Sequence, residues 1–142
     1  MADVLRREHT IVMPFVGTSM LPMLRQGRDS VLIEEKRERL QPLDVALYIR
    51  SCDGAYVLHR VLSVRKDGYL IRGDNCYSDE IVSEACVIGV LKGFYRKEKF
   101  IPRDNPHYLR YVRRRIASYP VRRRLQKAKN CFKKLWKKIK RK

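Results

Sequence analysis

Short apolar runs separated by turn residues fill most of the first hundred positions, and this pattern constrains the fold more than any other feature of the chain. The runs are Ile11–Val16, Ser30–Glu34, Asp44–Arg50, Tyr56–Arg65, Tyr69–Arg72, Cys86–Leu91 and Gly93–Arg96. They are rich in β-branched and aromatic residues and end at turns, of which Asp67-Gly68 predicts a β-hairpin. Many short strands in a short chain predict a mainly β domain with antiparallel pairing.

Charge divides the chain near Pro102. Residues 1–102 hold 16 Lys and Arg against 14 Asp and Glu, whereas residues 103–142 hold 17 Lys and Arg against Asp104 alone. In the second part, apolar residues recur at helical spacing from Pro106 to Pro120 and again over Val121–Lys140. The sequence therefore predicts a β domain over residues 1–102 and a basic helical tail over residues 103–142.

Cysteine and histidine spacing indicates no metal site, because none of the four cysteines forms a paired motif and the three histidines lie far from them. We expect free thiols in a reducing compartment and no cofactor. No apolar stretch approaches the roughly 20 residues of a membrane-spanning helix, and the N-terminus lacks a signal-peptide pattern. These features predict a cytoplasmic protein, or one bound peripherally at the inner membrane surface.

A serine lies on the turn that follows the first apolar run. Gly17 ends that run, Ser19 follows two residues later, and Pro22 and Gly27 restrict the backbone beyond it. A serine on a sharp turn at the end of a strand has an accessible Oγ, which suits a nucleophile. Alternatively, Ser19 is the N-cap of the short apolar turn Met20–Leu24.

His59 is the candidate partner of this serine. Strand alternation places it on the same face as Val57 and Val61, where an imidazole needs hydrogen-bond partners. It is either a hydrogen-bonded core histidine or the general base for Ser19, since its ordinary pKa suits proton transfer at neutral pH.

A histidine base needs an acceptor for its second ring nitrogen. Asp74 could supply one from the turn after the next strand, as could Asp79 or Glu80 a few residues later. Asp74 could equally form an Asx turn beside Gly73. Local sequence leaves the choice of acid open.

Five motifs together carry a family resemblance. They are Gly17-x-Ser19-Met20-x-Pro22, Gly27-x-Asp29, Asp44-Val45, His59-Arg60-Val61-Leu62 and Gly73-Asp74-Asn75. In this order they resemble the successive motifs of the type I signal peptidases and the related self-cleaving repressor peptidases, over about residues 10–95. Bacterial members usually have lysine where this chain has His59, so the chain is most similar to the serine–histidine branch found in the endoplasmic reticulum and in archaea.

The resemblance implies a serine endopeptidase that cleaves leader or signal segments of precursor peptides. Ser19 would be the nucleophile, His59 the base and Asp74 the supporting acid, with Asp79 or Glu80 as the alternative third member. Two other functions stay open. One is a non-catalytic binding protein of the same fold that uses its basic tail on nucleic acid or membrane, and the other is a self-cleaving regulatory peptidase.

The family fold also implies where substrate binds. In such a β domain the substrate adds as an extended strand beside the segment before the serine. The implied substrate-binding residues are Pro14, Phe15, Val16, Gly17, Thr18 and Met20. Gly17 stands where many members have a hydroxyl that binds the oxyanion, so Thr18 or backbone N–H groups, including that of Ser19, would take that role.

The basic tail has three interpretations. It could be an arm that binds nucleic acid, which is a polyanion. It could lie on an anionic membrane surface through Val121–Lys140. Or it could remain solvated, with its apolar stripe packed on the domain. The stripe contains Leu125, Ala128, Phe132, Leu135, Trp136 and Ile139. A cationic helix with such a stripe is typical of an interfacial membrane helix, so we favour the membrane over nucleic acid.

Overall fold

A computed structural model of the protein describes residues 1–139. It contains an antiparallel sheet of eight strands followed by helices near the C-terminus, which confirms the predicted mainly β fold with a helical C-terminal part. The elements are α1 (Ala2–Glu8), β1 (Thr10–Pro14), β2 (Asp29–Glu35), β3 (Val45–Ile49), β4 (Tyr56–Arg65), β5 (Gly68–Arg72), β6 (Glu80–Ser83), a 3₁₀ turn (Glu84–Cys86), β7 (Val87–Arg96), β8 (Lys99–Pro102), α2 (Pro106–Ala117) and α3 (Tyr119–Ile139).

The strands are ordered β1-β2-β7-β3-β4-β5-β6, with β8 paired to β7. The predicted hairpin at Asp67-Gly68 is confirmed, since Arg65 pairs with Gly68 at the start of the β4–β5 ladder. β3 is central and almost wholly buried, whereas β1 and β6 lie at the two ends of the order. β4, which carries His59, therefore runs through the interior of the sheet.

Two predicted strands differ from the structure. β1 ends at Pro14 rather than Val16, because after the Phe15 N–H donates to the Asp29 carbonyl the chain turns away at Gly17, whose φ is +101°. β7 is one strand of ten residues where two were predicted. Its pairing with β2 shifts register between Leu32 and Ile33, and this bulge accommodates the extra residue without a break.

β6 and β8 were not predicted as strands. Each has four residues and a charged residue at its start, which is too short for an alternation pattern to be recognised. β6 pairs with β5, and its first residue is Glu80. One of the candidate acids therefore lies on a strand rather than in a loop.

The helical part follows its sequence signals closely. Asn105 caps α2, since its Oδ1 accepts the backbone N–H groups of His107 and Tyr108, and Pro106 takes the first helical position. α3 begins at Tyr119, two residues before the predicted Val121, because Pro120 is tolerated in a first turn. The predicted end of this helix at Lys140 lies outside the described residues.

The chain divides into two compact units, Met1–Leu109 and Arg110–Lys142. The first contains the whole sheet, and its core includes a buried cluster of Leu40, Ala46, Tyr48, Val61, Tyr69, Ile71, Val82, Val87 and Val90. The second contains α3. Within residues 1–139, no helix combines the length and apolar character needed to cross a bilayer.

Candidate active site

Ser19 lies in the loop between β1 and β2, and its side chain is partly exposed. The loop is held at both ends of its first turn. The Gly17 N–H donates to Gln26 Oε1 at 2.9 Å, and the Ser19 carbonyl accepts the Asn75 N–H at 2.7 Å. No hydrogen bond of the Ser19 backbone N–H is present within residues 1–139.

Gly73 brings the Ser19 loop against His59. A Cβ on Gly73 would lie 2.7 Å from the Ser19 carbonyl oxygen and 3.0 Å from His59 Nε2. Both distances are shorter than ordinary contacts, so only glycine lets the serine loop and the imidazole approach this closely. The motif Gly73-Asp74-Asn75 thus contributes a close backbone approach as well as an acid.

The other ring nitrogen of His59 faces a tyrosine and a glutamate. His59 Nδ1 lies 3.2 Å from the Tyr48 hydroxyl oxygen and 3.7 Å from Glu80 Oε1. The Tyr48 hydroxyl donates its proton to Glu80 Oε2 at 2.8 Å. Because the Tyr48 hydroxyl donates its proton to Glu80, its oxygen acts as acceptor toward His59 and the proton between them lies on Nδ1. The neutral imidazole then has its free lone pair on Nε2.

Burial shifts the pKa values of both His59 and Tyr48. Desolvation lowers the pKa of His59 below 6.5, and the charge of Glu80 partly offsets this by raising it. Burial, with the hydrogen bond to Glu80, raises the pKa of Tyr48 far above its usual range, so the phenol keeps its proton. A neutral imidazole with a free Nε2 is the state that a general base requires.

Asp74, which the family resemblance implies as the supporting acid, is bound by the Arg60 side chain. Its two carboxylate oxygens accept from Arg60 Nε and Nη2, each at 2.8 Å. Arg60 is almost wholly buried and also reaches the Tyr108 hydroxyl and the Leu43 carbonyl. Asp74 therefore neutralises a buried guanidinium.

Asp79 is bound by Arg72 through one hydrogen bond, from Nη1 to Asp79 Oδ1 at 3.0 Å. Glu80 is the acid that the structure places within ion-pair distance of His59. The site thus brings together Ser19, His59 and Glu80. Of the three candidate acids, Glu80 is the one that contacts both Tyr48 and His59, whereas Asp74 and Asp79 are each bound by an arginine.

A cavity of about 410 Å³ adjoins these residues. Ser19, His59 and Glu80 line it, together with an apolar set that includes Met13, Phe15, Val31, Ile33, Leu47 and Leu58. Of the predicted substrate-binding residues, Pro14, Phe15 and Val16 line the cavity, whereas Gly17 and Thr18 do not. Met20 is wholly buried and its sulfur accepts the Asp74 N–H, so it supports the loop from the core and does not line the cavity.

Sequence reasoning missed Tyr48 and the function of Arg60. Ala46 pairs with His59 across β3 and β4, which makes Tyr48 the diagonal neighbour of His59 on the same face. Only the strand register reveals this contact. Cys76 also lines the cavity, and burial raises the pKa of its thiol.

Comparison with known proteins adds no family assignment to this geometry. No protein-family model, curated protein or solved structure matches the chain. The chemistry of the site is therefore the basis on which a function can be proposed.

Proposed function

We propose that the protein is a serine endopeptidase that cleaves leader or signal segments of precursor peptides, with Ser19 as nucleophile and His59 as general base. The observation that carries this proposal is the orientation of His59. Its Nδ1 is tied to the Tyr48–Glu80 pair, while its Nε2 borders the loop that presents Ser19. An imidazole oriented by a third group, next to a loop that carries a serine, supports a nucleophilic hydrolase.

The proposed reaction follows from this arrangement. Ser19 Oγ attacks the peptide carbonyl as His59 Nε2 takes its proton, and the Ser19 N–H binds the oxyanion that forms. The Tyr48 oxygen and the Glu80 carboxylate stabilise the imidazolium at its Nδ1 side. His59 then protonates the leaving amine, and water, deprotonated by the same imidazole, hydrolyses the acyl-enzyme.

The preference for leader or signal segments is supported by the cavity and by the motif resemblance. β1 is at an end of the strand order, and Val16, which follows it, is 72% exposed. An extended peptide that pairs with this edge would gain backbone hydrogen bonds, and its side chains would enter the largely apolar cavity. Apolar segments of precursors suit such a surface.

Replacement of either reacting residue tests the proposal. Ser19→Ala and His59→Ala are each expected to lower cleavage of a mixed peptide library by at least about four orders of magnitude, because they act as one unit. Mass spectrometry of the new peptide ends would measure this. Ser51→Ala, at an exposed serine, is the matched control and should cleave normally.

A serine-directed acylating probe supplies the deciding outcome. Labelling that Ser19→Ala removes and Ser51→Ala retains would support a catalytic serine. Equal labelling of all three proteins, or none of any, would overturn the proposal in favour of a non-catalytic binding protein. Cleavage confined to the protein's own chain would instead indicate a self-cleaving peptidase.

A further inference from the structure

The helix α3 exposes an apolar stripe along its length. Its large apolar side chains are between 54% and 70% exposed, and their spacing places them on one face of the helix. They are Val121, Leu125, Phe132, Leu135, Trp136 and Ile139. A solvent-exposed apolar stripe of this length is unusual on the surface of a soluble protein and indicates a binding face.

The remaining surface of α3 is strongly basic. The helix carries nine Lys and Arg side chains and no Asp or Glu. At 100° per residue these fall on the sides and back of the helix, while the apolar side chains occupy a sector about 100° wide. The ligand must therefore offer negative charge and an apolar phase together.

The start of the helix is anchored within its own unit. Arg122 Nη2 donates to the Arg115 carbonyl at the end of α2 at 2.8 Å, and its Nε donates to Ser118 Oγ at 3.2 Å. These bonds satisfy polar groups at the junction of the two helices. The structure has α3 as a helix from Tyr119 to Ile139, and a preformed helix lowers the entropy cost of binding.

Two alternative occupants fit less well. A second copy of α3 would cover the stripe, but it would bring nine more positive charges against the first nine with no acid to offset them. Nucleic acid would neutralise the charge, but it would leave Phe132, Leu135 and Trp136 in water.

We propose that α3 binds the surface of an anionic bilayer. The apolar stripe enters the boundary between headgroups and acyl chains, and the lysines and arginines lie among anionic headgroups. This inference is independent of the proposed peptidase reaction, since it uses no residue of the site around Ser19. The Ser19→Ala protein should bind vesicles as the unaltered protein does.

Trp136 is the single tryptophan of the chain, so its fluorescence reports the stripe directly. The full-length protein is mixed with vesicles of phosphatidylcholine, or of phosphatidylcholine and phosphatidylglycerol in equal parts. We expect co-sedimentation with the anionic vesicles, a shift of Trp136 emission to shorter wavelength and quenching by brominated acyl chains. High salt should weaken binding, because the screening length shortens from about 8 Å to about 3 Å at 1 M.

A pair of neutral substitutions separates apolar insertion from charge attraction. Phe132→Ser removes an apolar side chain from the stripe, and Asn130→Ser, about 200° around the helix, makes a matched change on the basic side. We expect Phe132→Ser to weaken binding about tenfold or more. Asn130→Ser should leave it unchanged. Circular dichroism should show the same helix content in both variants.

The proposal fails if Phe132→Ser binds anionic vesicles as tightly as Asn130→Ser, or if vesicles leave Trp136 emission unchanged. Salt-dependent binding to a DNA or RNA fragment, with no Trp136 response to lipid, would assign the tail to nucleic acid. Self-association that shifts Trp136 emission without vesicles would assign the stripe to a second copy of the chain.

Discussion

At the scale of single residues, a glutamate reaches the candidate base through a tyrosine hydroxyl. Glu80 accepts from Tyr48, and Tyr48 accepts from His59 Nδ1. The carboxylate itself is 3.7 Å from the ring nitrogen, close enough to stabilise an imidazolium through its charge. In the proposed reaction Tyr48 positions the imidazole by fixing its tautomer, and Glu80 supplies the negative charge.

Removal of that charge should alter the pH dependence of cleavage. In Glu80→Gln the pKa of His59 loses a contribution that raises it, so the acid limb of the kcat/KM profile should move to lower pH. We also expect a rate loss of about a hundredfold at neutral pH, because the imidazolium is less stabilised. Tyr48→Phe should lower the rate by a similar factor through loss of tautomer control.

The profile of kcat/KM against pH is the measurement, with Asp79→Asn as the control at the adjacent carboxylate. A limb that stays in place or moves to higher pH in Glu80→Gln would show that Glu80 does not act on His59 electrostatically.

Asp74 should matter for stability. Arg60 has a relative exposure of 1%, and Asp74 binds its guanidinium with both oxygens. Asp74→Asn would leave that buried cation without its counter-charge, which typically costs about 3–5 kcal/mol of unfolding free energy. Urea unfolding would measure the loss.

Asp79→Asn again serves as the comparison, since the Asp79 side chain is 40% exposed and its pair with the buried Arg72 is open to solvent on that side, so its loss should cost less than that of the Asp74 pair. If Asp74→Asn unfolded like the unaltered protein but cleaved far more slowly, the orienting role would return to Asp74.

At the scale of elements, short pieces of secondary structure depend on the sheet beneath them. α1 has seven residues, too few to be stable alone, and Leu5 is its buried residue. Leu5 packs over Gly89 of β7, where a Cβ would lie 2.9 Å from Leu5 Cδ2. The absence of a side chain at Gly89 is what makes room for the helix.

Truncation of this contact should release α1. We expect Leu5→Ala to lower the unfolding free energy by about 2–4 kcal/mol, because it leaves a cavity above β7. Val4→Ala, at a side chain that is 38% exposed, should change it by about 0.5 kcal/mol. Thermal and urea unfolding of both variants would test this. Equal effects of the two substitutions would mean that α1 is not held by Leu5.

At the scale of the whole molecule, buried ionisable groups make the folded state sensitive to acid. Burial alone would raise the pKa of Asp29, but hydrogen bonds from the Arg28 side chain and the Arg25 N–H outweigh it and hold the pKa below 3.8. His59 also has a lowered pKa, because burial disfavours its charged form. In both cases the unfolded chain binds protons more readily than the folded one.

Acidification should therefore reduce stability in two steps. The contribution of His59 to the free energy of unfolding is complete above pH 6.5, which is the ordinary pKa of histidine. It declines as the pH falls from 6.5 toward the lower pKa of His59 in the folded state. The contribution of Asp29 to the free energy of unfolding is present above pH 3.8 and is lost as the pH falls through the pKa of Asp29 in the folded state. We expect Tm to fall between neutral and mildly acidic pH, and again in strong acid.

His59→Gln should abolish the first step and keep the second, since glutamine does not titrate. Calorimetry across this pH range would show it. A first step of unchanged size in His59→Gln would assign it to another group.

Local signals were sufficient for much of this molecule. The apolar runs, the Asp67-Gly68 hairpin, the Asn105-Pro106 helix start and the glycine turn before Ser19 all rest on interactions within a few residues, so sequence alone determined them. The division between a nearly neutral β part and a basic helical part likewise follows from composition.

Tertiary structure decided which acid faces His59. Asp74, Asp79 and Glu80 lie within seven positions of each other, and no local pattern ranks them. Two arginines bind Asp74 and Asp79, whereas the pairing of β6 with β5 and of β3 with β4 brings Glu80 and Tyr48 to the imidazole. The physical reason is that strand register and the pairing of distant charges depend on groups many residues apart, which no short stretch of sequence contains.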